Sequence, residues 1–149
     1  MKKRIVYSLI IISLIVLLDQ TTKYLARTYI DPSGVIGIMP GLNLVNVRNK
    51  GAAFGIFTSL GNTFFIIISI IAIIVMLWII VKGLEDYRVF SFLAGGAAGN
   101  LIDRLALGSV VDFIDVSVSG YHWPAFNVAD SSLTIGIFFM LIQLFTKRN

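Results

Sequence analysis

Phe64 to Val81 reads FFIIISIIAIIVMLWIIV, eighteen residues with one serine and no charge. No other feature constrains the fold as much. About 20 apolar residues cross the hydrocarbon core of a bilayer as a helix, and in lipid a helix is one of the few structures that satisfies its own backbone. A second run, Ile5 to Leu18, follows Lys2-Lys3-Arg4. A third, from about Val89 to Leu107, is less apolar and rich in small residues (FLAGGAAGNLIDRLAL), which let helices approach closely in lipid. A fourth runs from about Val128 to Phe145. Composition agrees: 57% of the 149 residues are hydrophobic and 13% charged, against roughly a quarter charged in soluble domains. The expected fold is an all-α membrane protein, a single domain over 1–149, with four transmembrane helices at about 5–25, 62–82, 88–107 and 127–146. The first run starts like a secretory leader, but no small-x-small cleavage site follows and DQTTKYLA continues the helix, so it is read as retained.

The basic residues set the topology. Lys2, Lys3, Arg4, Lys82, Arg88, Lys147 and Arg148 all fall on one side of a four-helix plan, which the positive-inside rule places in the cytoplasm with both termini. Arg27, Arg48 and Lys50 sit in the long outer loop of about 26–61 and oppose this weakly. Within that loop, GLNLVNVRN partly alternates, and DPSG and MPG mark turns, so a small outward-facing β-sheet cradle is expected between helices 1 and 2. The net charge of +4 does not signal nucleic acid, because the basic residues flank apolar runs and form no patch. The absence of cysteine excludes disulfides, a thiol nucleophile and thiolate metal sites, and the single histidine excludes a histidine-rich metal site. Neither metal nor cofactor is expected.

Five of the eight acids, Asp19, Asp103, Asp112, Asp115 and Asp130, cluster at the outer helix ends or in the short loop of about 108–126. A charge at bilayer depth costs about 2.5–3.5 kcal/mol or more, so it normally has a partner or a function. Asp19 and Lys23 stand at i, i+4, the spacing of an ion pair whose lysine can snorkel outward; a contact with a phosphate or peptide is the alternative. Asn100, Asp103 and Arg104 share a face, with Arg104 placed to neutralise Asp103 or hold another helix and Asn100 placed to hold a carboxylate. Asp112 lies between Val111 and Phe113, surroundings that disfavour a charged carboxylate, although a lone loop aspartate is more often a turn or cap residue. Asn127 and Asp130 have capping-box spacing, with Asp in the place of the usual Glu or Gln. Against the cap stands the aspartate at the end of the preceding helix, on the same outer side. Two carboxylates that approach closely cannot both ionise easily, which is the logic of aspartic proteases. YHWP, including His122, reads as an interfacial aromatic belt rather than a catalytic base.

DQTTK, NKGAAFG, GGAAGNLIDR, GSVVDFID and PAFNVADSS occur in this order along the whole chain. The sequence thereby resembles the bacterial lipoprotein signal peptidases, or signal peptidase II. The resemblance implies an aspartyl endopeptidase of the bacterial cytoplasmic membrane, with its active site near the outer surface. It would remove the signal peptide from diacylglyceryl-modified prolipoproteins, cutting on the amino side of the lipidated cysteine. Carried over by motif, Asp112 and Asp130 form the catalytic pair, and Asp19, Lys23, Asn49, Asn100, Arg104 and Asn127 bind substrate or support the site. Asp103 is read as structural, and Asp115 has no catalytic counterpart. The implied partners are the prolipoprotein and membrane lipid, with a monomer sufficient. Two rival classes remain: a small proton- or ion-coupled transporter, which would need polar residues at mid-depth on several helices, and a non-enzymatic assembly subunit using GGAAG as a packing face.

Overall fold

A computed structural model describes residues 1–51 and 61–146. The chain runs α1 (Lys2–Tyr29), β1 (Val35–Met39), β2 (Leu42–Asn49), α2 (Gly61–Lys82), α3 (Tyr87–Leu107), β3 (Val110–Val118), β4 (Tyr121–His122) and α4 (Val128–Thr146). Lys147 and Arg148, and the AAFG of the NKGAAFG motif, lie outside the described residues.

Among the described residues three helices, α1, α2 and α4, are long and apolar enough to cross a membrane. The 21-residue α3 is not among them, although it was expected as a fourth span. The reason lies in its packing. α3 meets α1, α2 and α4, and it buries Val89, Ser91, Leu93, Ala94, three glycines, Asp103 and Arg104. A helix walled by other helices has little need of the lipid-facing isoleucines that α2 exposes at Ile67, Ile70, Ile71 and Ile74. Small residues allow the close approach: Gly95 faces the side chain of Ile15 on α1, and Gly96 faces the backbone of Ala129 on α4.

α3 is bounded by local signals. Asp86 is its N-cap and accepts a hydrogen bond from the Arg88 N–H at 2.9 Å. Gly108 ends it in the left-handed region at φ 69°, donating its N–H to the Arg104 carbonyl, and β-branched Val110 and Val111 then begin a strand. Asp86→Ala is expected to lower the unfolding free energy by about 1 kcal/mol, read as a lower thermal midpoint in detergent, with cleavage activity retained.

The sheet differs from the expected cradle in its membership. Its order is β1-β2-β3-β4, all antiparallel neighbours, so half of its strands come from the segment after α3. α1 also runs a turn past the expected boundary. Its end is fixed by Asn46 of β2, whose Nδ2 donates to the Ile30 carbonyl at 2.9 Å. β2 pairs Val47 with Asp112 and Asn43 with Asp115, with a register shift between Leu44 and Val47. Asp112 is therefore a residue of a central strand, not a turn or cap. A strand alternates faces, so Asp112 and Asp115, three apart, point to opposite sides of the sheet.

Candidate functional site

The C-terminal part of α1 starts the site. Asp19 and Lys23 form an ion pair of 2.8 Å, and both side chains are essentially inaccessible, at 0% and 1% exposure. The expectation that Lys23 snorkels outward is thus incorrect. α3 is close enough to take its other donors: Lys23 Nζ donates to Asn100 Oδ1 at 2.9 Å and pairs with Asp103 Oδ2 at 3.3 Å. Asp19 Oδ1 accepts the backbone N–H of Ala129 at 2.8 Å, a carboxylate at the start of α4 where the helix dipole favours it. Gln20 joins the group, donating to Asp19, to the Gly99 carbonyl and to Asp103, each at 3.1 Å. Sequence reasoning passed over Gln20. Its signal was its position three before Lys23, on the same helical face.

Asp103 Oδ2 accepts the Val111 N–H at 2.9 Å and so fixes the start of β3, one residue before Asp112. Arg104 does not neutralise Asp103, which Lys23 does. The guanidinium turns the other way, donating Nη2 to the Gly51 carbonyl at 2.6 Å and lying 4.3 Å from the centroid of the Phe65 ring. It thereby joins the end of β2 and the N-terminal part of α2 to α3.

These elements bring Asp112 and Asp130 to the wall of one cavity. Asp112, 2% exposed, accepts from Asn49 Nδ2 at 3.0 Å on Oδ2 and from Asn127 Nδ2 at 2.7 Å on Oδ1. Asp130, in the first turn of α4, accepts from Asn100 Nδ2 at 2.8 Å on Oδ1. Its Oδ2 takes the Asn127 N–H at 3.3 Å while the Asp130 N–H donates to Asn127 Oδ1 at 2.9 Å. This is a reciprocal capping box, so cap and site occupy the same side chain. Asn127, fully buried, links the two acids, with a further bond from Nδ2 to the Val111 carbonyl at 3.2 Å.

Two cavities meet at the pair. One of about 570 Å³ runs along Trp123, Pro124, Phe126 and the N-terminal part of α4. The other, about 220 Å³, descends between Phe65, Ile68 and Ala72 of α2, Ala97 of α3 and Leu133. Asn49, Asp112 and Asp130 line both. On the opposite face of the sheet, Asp115 accepts from Asn43 Nδ2 and His122 Nδ1, both at 2.8 Å, and these donors hold its carboxyl below the usual range. Among the described residues no three His, Cys, Asp or Glu side chains converge as metal ligands would.

Burial, and next the charge of Asp130, push the Asp112 carboxyl up to about 6, against the hydrogen bonds from Asn49 and Asn127 and the charge of Lys23. The sign follows from linkage. A folded-state value above the unfolded 3.8 means that the native state holds the proton more tightly, so stability falls as pH rises from about 4 to about 6 and stays low above. Asp112→Asn is therefore expected to raise the thermal midpoint at pH 7.5 and to leave it unchanged at pH 4. The gain stays below roughly 3 kcal/mol, the equivalent of two pKa units, because one of the two donating amides would face the new NH₂. A lower midpoint at pH 7.5 would show that the carboxylate is not strained there.

The fold and the site together define a helical membrane protein with a buried carboxylate pair beneath a small sheet at one end of its helices. Residues 11–146 match the family model of signal peptidase (SPase) II. The lipoprotein signal peptidase of Thermodesulfovibrio yellowstonii is 48% identical over 126 residues, 85% of this chain and 86% of its own. That of Staphylococcus haemolyticus is 42% identical over 157 residues, covering 100% and 98%. A bacterial membrane enzyme solved by the in meso method at 2.3 Å superposes with a TM-score of 0.88 at 40% identity, over 96% of this chain and 90% of that one. The chain belongs to the signal peptidase II family, and is accordingly a membrane-embedded protease of lipoprotein processing.

Proposed function

We propose that this protein is an aspartyl endopeptidase that releases the signal peptide from diacylglyceryl-modified prolipoproteins by cutting on the amino side of the lipidated cysteine, with Asp112 and Asp130 as the catalytic pair. The observation that carries the reading is the pair itself: two carboxyl groups on one cavity wall, bridged by Asn127, with burial pushing Asp112 up to about 6. One acid holds a proton while its partner ionises. The ionised acid takes a proton from a water whose oxygen attacks the amide carbon. The protonated acid donates its proton to the carbonyl oxygen; as the tetrahedral intermediate collapses it takes that proton back, while the other acid passes the proton from the water to the leaving nitrogen, which restores both groups.

The geography supports an interfacial substrate. In this reading α3 crosses the membrane with the other three helices, both termini are cytoplasmic and the acid pair lies at the outer surface. A substrate lipidated beside its scissile bond then needs only to slide laterally. Each methylene is worth about 0.8 kcal/mol in keeping the substrate in the membrane, so the acyl chains hold it at the depth of the site, while their passage from lipid into the apolar cavities adds little affinity of its own. A single copy carries the whole site. The transporter alternative lacks support from the buried charged residues of the described helices, Asp19, Lys23, Asp103 and Arg104, which gather at one end instead of forming a through-path.

The test is cleavage of a diacylglyceryl-modified prolipoprotein by the purified chain, followed by mass spectrometry of both products. The expected result is one cut before the modified cysteine, with the unmodified precursor cleaved far more slowly. Cleavage elsewhere, or equal cleavage of both precursors, overturns the assigned specificity.

A further inference from the structure

We propose that Lys23 is a positioning residue for the acid pair, acting on both aspartates by fixing the direction of the Asn100 side-chain amide. The inference rests on Asp112 and Asp130 being the catalytic pair. Lys23 forms its ion pairs with Asp19 and Asp103, and neither of its acidic partners is a member of the pair. Its route to them is Asn100. Nζ donates to Asn100 Oδ1 at 2.9 Å, and Asn100 Nδ2 donates to Asp130 Oδ1 at 2.8 Å. Asn127 Nδ2 also reaches Asn100 Oδ1, at 3.3 Å, and the same nitrogen holds Asp112.

A primary amide presents an acceptor at one end and donors at the other, whereas an ammonium is a donor only. With Lys23 in place, only the carbonyl end of Asn100 can face α1, and the NH₂ end must face Asp130. The flipped amide would set donor against donor at Lys23 and acceptor against acceptor at Asp130. Asn127 needs no such help. Its Nδ2 meets the Val111 carbonyl, an acceptor only, and its Oδ1 meets the Asp130 N–H, a donor only, so backbone fixes it at both ends. Asn100 is held by side chains at both ends instead: Lys23 Nζ at 2.9 Å is the shorter and charged donor at its carbonyl, ahead of Asn127 Nδ2 at 3.3 Å, and Asp130 at its NH₂ end can accept or, when protonated, donate. Lys23 is 1% exposed, so it meets no substrate, and its influence belongs in turnover and not in binding.

The obvious variant, Lys23→Met, strands Asp19 and Asp103 without a counter-charge. Asp19→Asn/Lys23→Met removes a matched pair of charges instead, and Asn at position 19 still accepts the Ala129 N–H. Single-turnover cleavage of the lipidated prolipoprotein would be measured for Asp19→Asn, for Asp19→Asn/Lys23→Met, and for both again with Asn100→Ala added. Relative to Asp19→Asn, loss of Lys23 is expected to lower the turnover rate by about tenfold to a hundredfold at unchanged half-saturation. In the Asn100→Ala background the same loss is expected to cost much less, leaving only what the charge of Lys23 exerts directly on the acids, because the hydrogen-bonded intermediary is already gone. An undiminished rate on losing Lys23, or an effect that persists in full without Asn100, overturns the proposal. So does folding of Asp19→Asn beside failure of both Lys23 variants to fold, which would make Lys23 a structural residue only. Asp112→Asn and Asp130→Asn run alongside: if either retains activity the catalytic reading itself fails, whatever Lys23 does.

Discussion

Asp112→Asn and Asp130→Asn are each expected to reduce cleavage of the lipidated prolipoprotein by roughly a thousandfold, with the chain still folded and still binding substrate. General acid–base groups contribute about 10² to 10⁴ in rate, and in this mechanism each member of the pair is needed in both half-steps. Asparagine is the informative replacement because it separates the two roles that one side chain fills at position 130. At the third helical position of the capping box an amide can stand in for the acid: the Oδ1 of Asn can still accept the Asn127 N–H that Asp130 accepts at 3.3 Å. It cannot take or give the proton. If Asp130 were only a cap, Asp130→Asn would cleave at nearly the wild-type rate. At position 112 the same replacement is expected to stabilise the fold at neutral pH while abolishing turnover, since a buried carboxylate pushed up to about 6 costs stability that catalysis uses. Loss of activity together with a raised midpoint is hard to attribute to misfolding. A rate within tenfold of wild type for either variant moves the chemistry to another acid. Asp115 is then a poor successor, since it lies on the opposite face of the sheet with its carboxylate held by Asn43 and His122.

What could be read from the residues follows from where each element is buried. α2 meets lipid over most of its surface, so its composition states its environment directly, and Gly61–Lys82 lies beside the expected 62–82. β3 is the opposite case. Its burial is continuous from Val110 to Phe113, so VVDFID shows no alternation of apolar and polar residues, and a half-buried strand's period of two is absent. The segment therefore reads as a loop, and Asp112 as a turn residue. The sheet was incomplete for the same reason: β2 alternates enough to be seen, whereas its partner 63 residues away from Asn49 is set by long-range pairing. The spacings i, i+3 and i+4 identify Asp19 with Lys23, and Asn100 with Arg104, but not their direction. Lys23 turns inward and Arg104 away from Asp103 because of where α1, α3 and the end of β2 sit, and a linear spacing carries none of that.

Gly96→Val is expected to destabilise the protein most among single packing changes, since it separates α3 from α4. A Cβ on Gly96 would lie 2.5 Å from the Ala129 carbonyl oxygen, 2.8 Å from Leu133 Cγ and 3.2 Å from the Leu133 N. Two of these three neighbours are backbone atoms, which cannot rotate aside as a side chain can. Overpacking a close-packed site typically costs about 1–3 kcal/mol, and a branched residue against backbone falls at or beyond the upper end. The obstruction also lies next to the chemistry. Ala129 donates its N–H to Asp19 and precedes Asp130, so a displaced α4 loosens the capping box and draws Asp130 away from Asn100. Gly96→Val is accordingly expected to lower the thermal midpoint sharply and to reduce cleavage by at least about a hundredfold even in the fraction that folds. Gly37→Ala is the control. A Cβ there meets only Asn43 Oδ1 at 3.8 Å, ordinary contact, and the residue lies on β1, away from the acids; it is expected to match wild type in both measurements. Should Gly96→Val keep the wild-type midpoint and rate, the close approach of α3 and α4 would be wrong, and with it the path by which α3 carries Asn100 to Asp130.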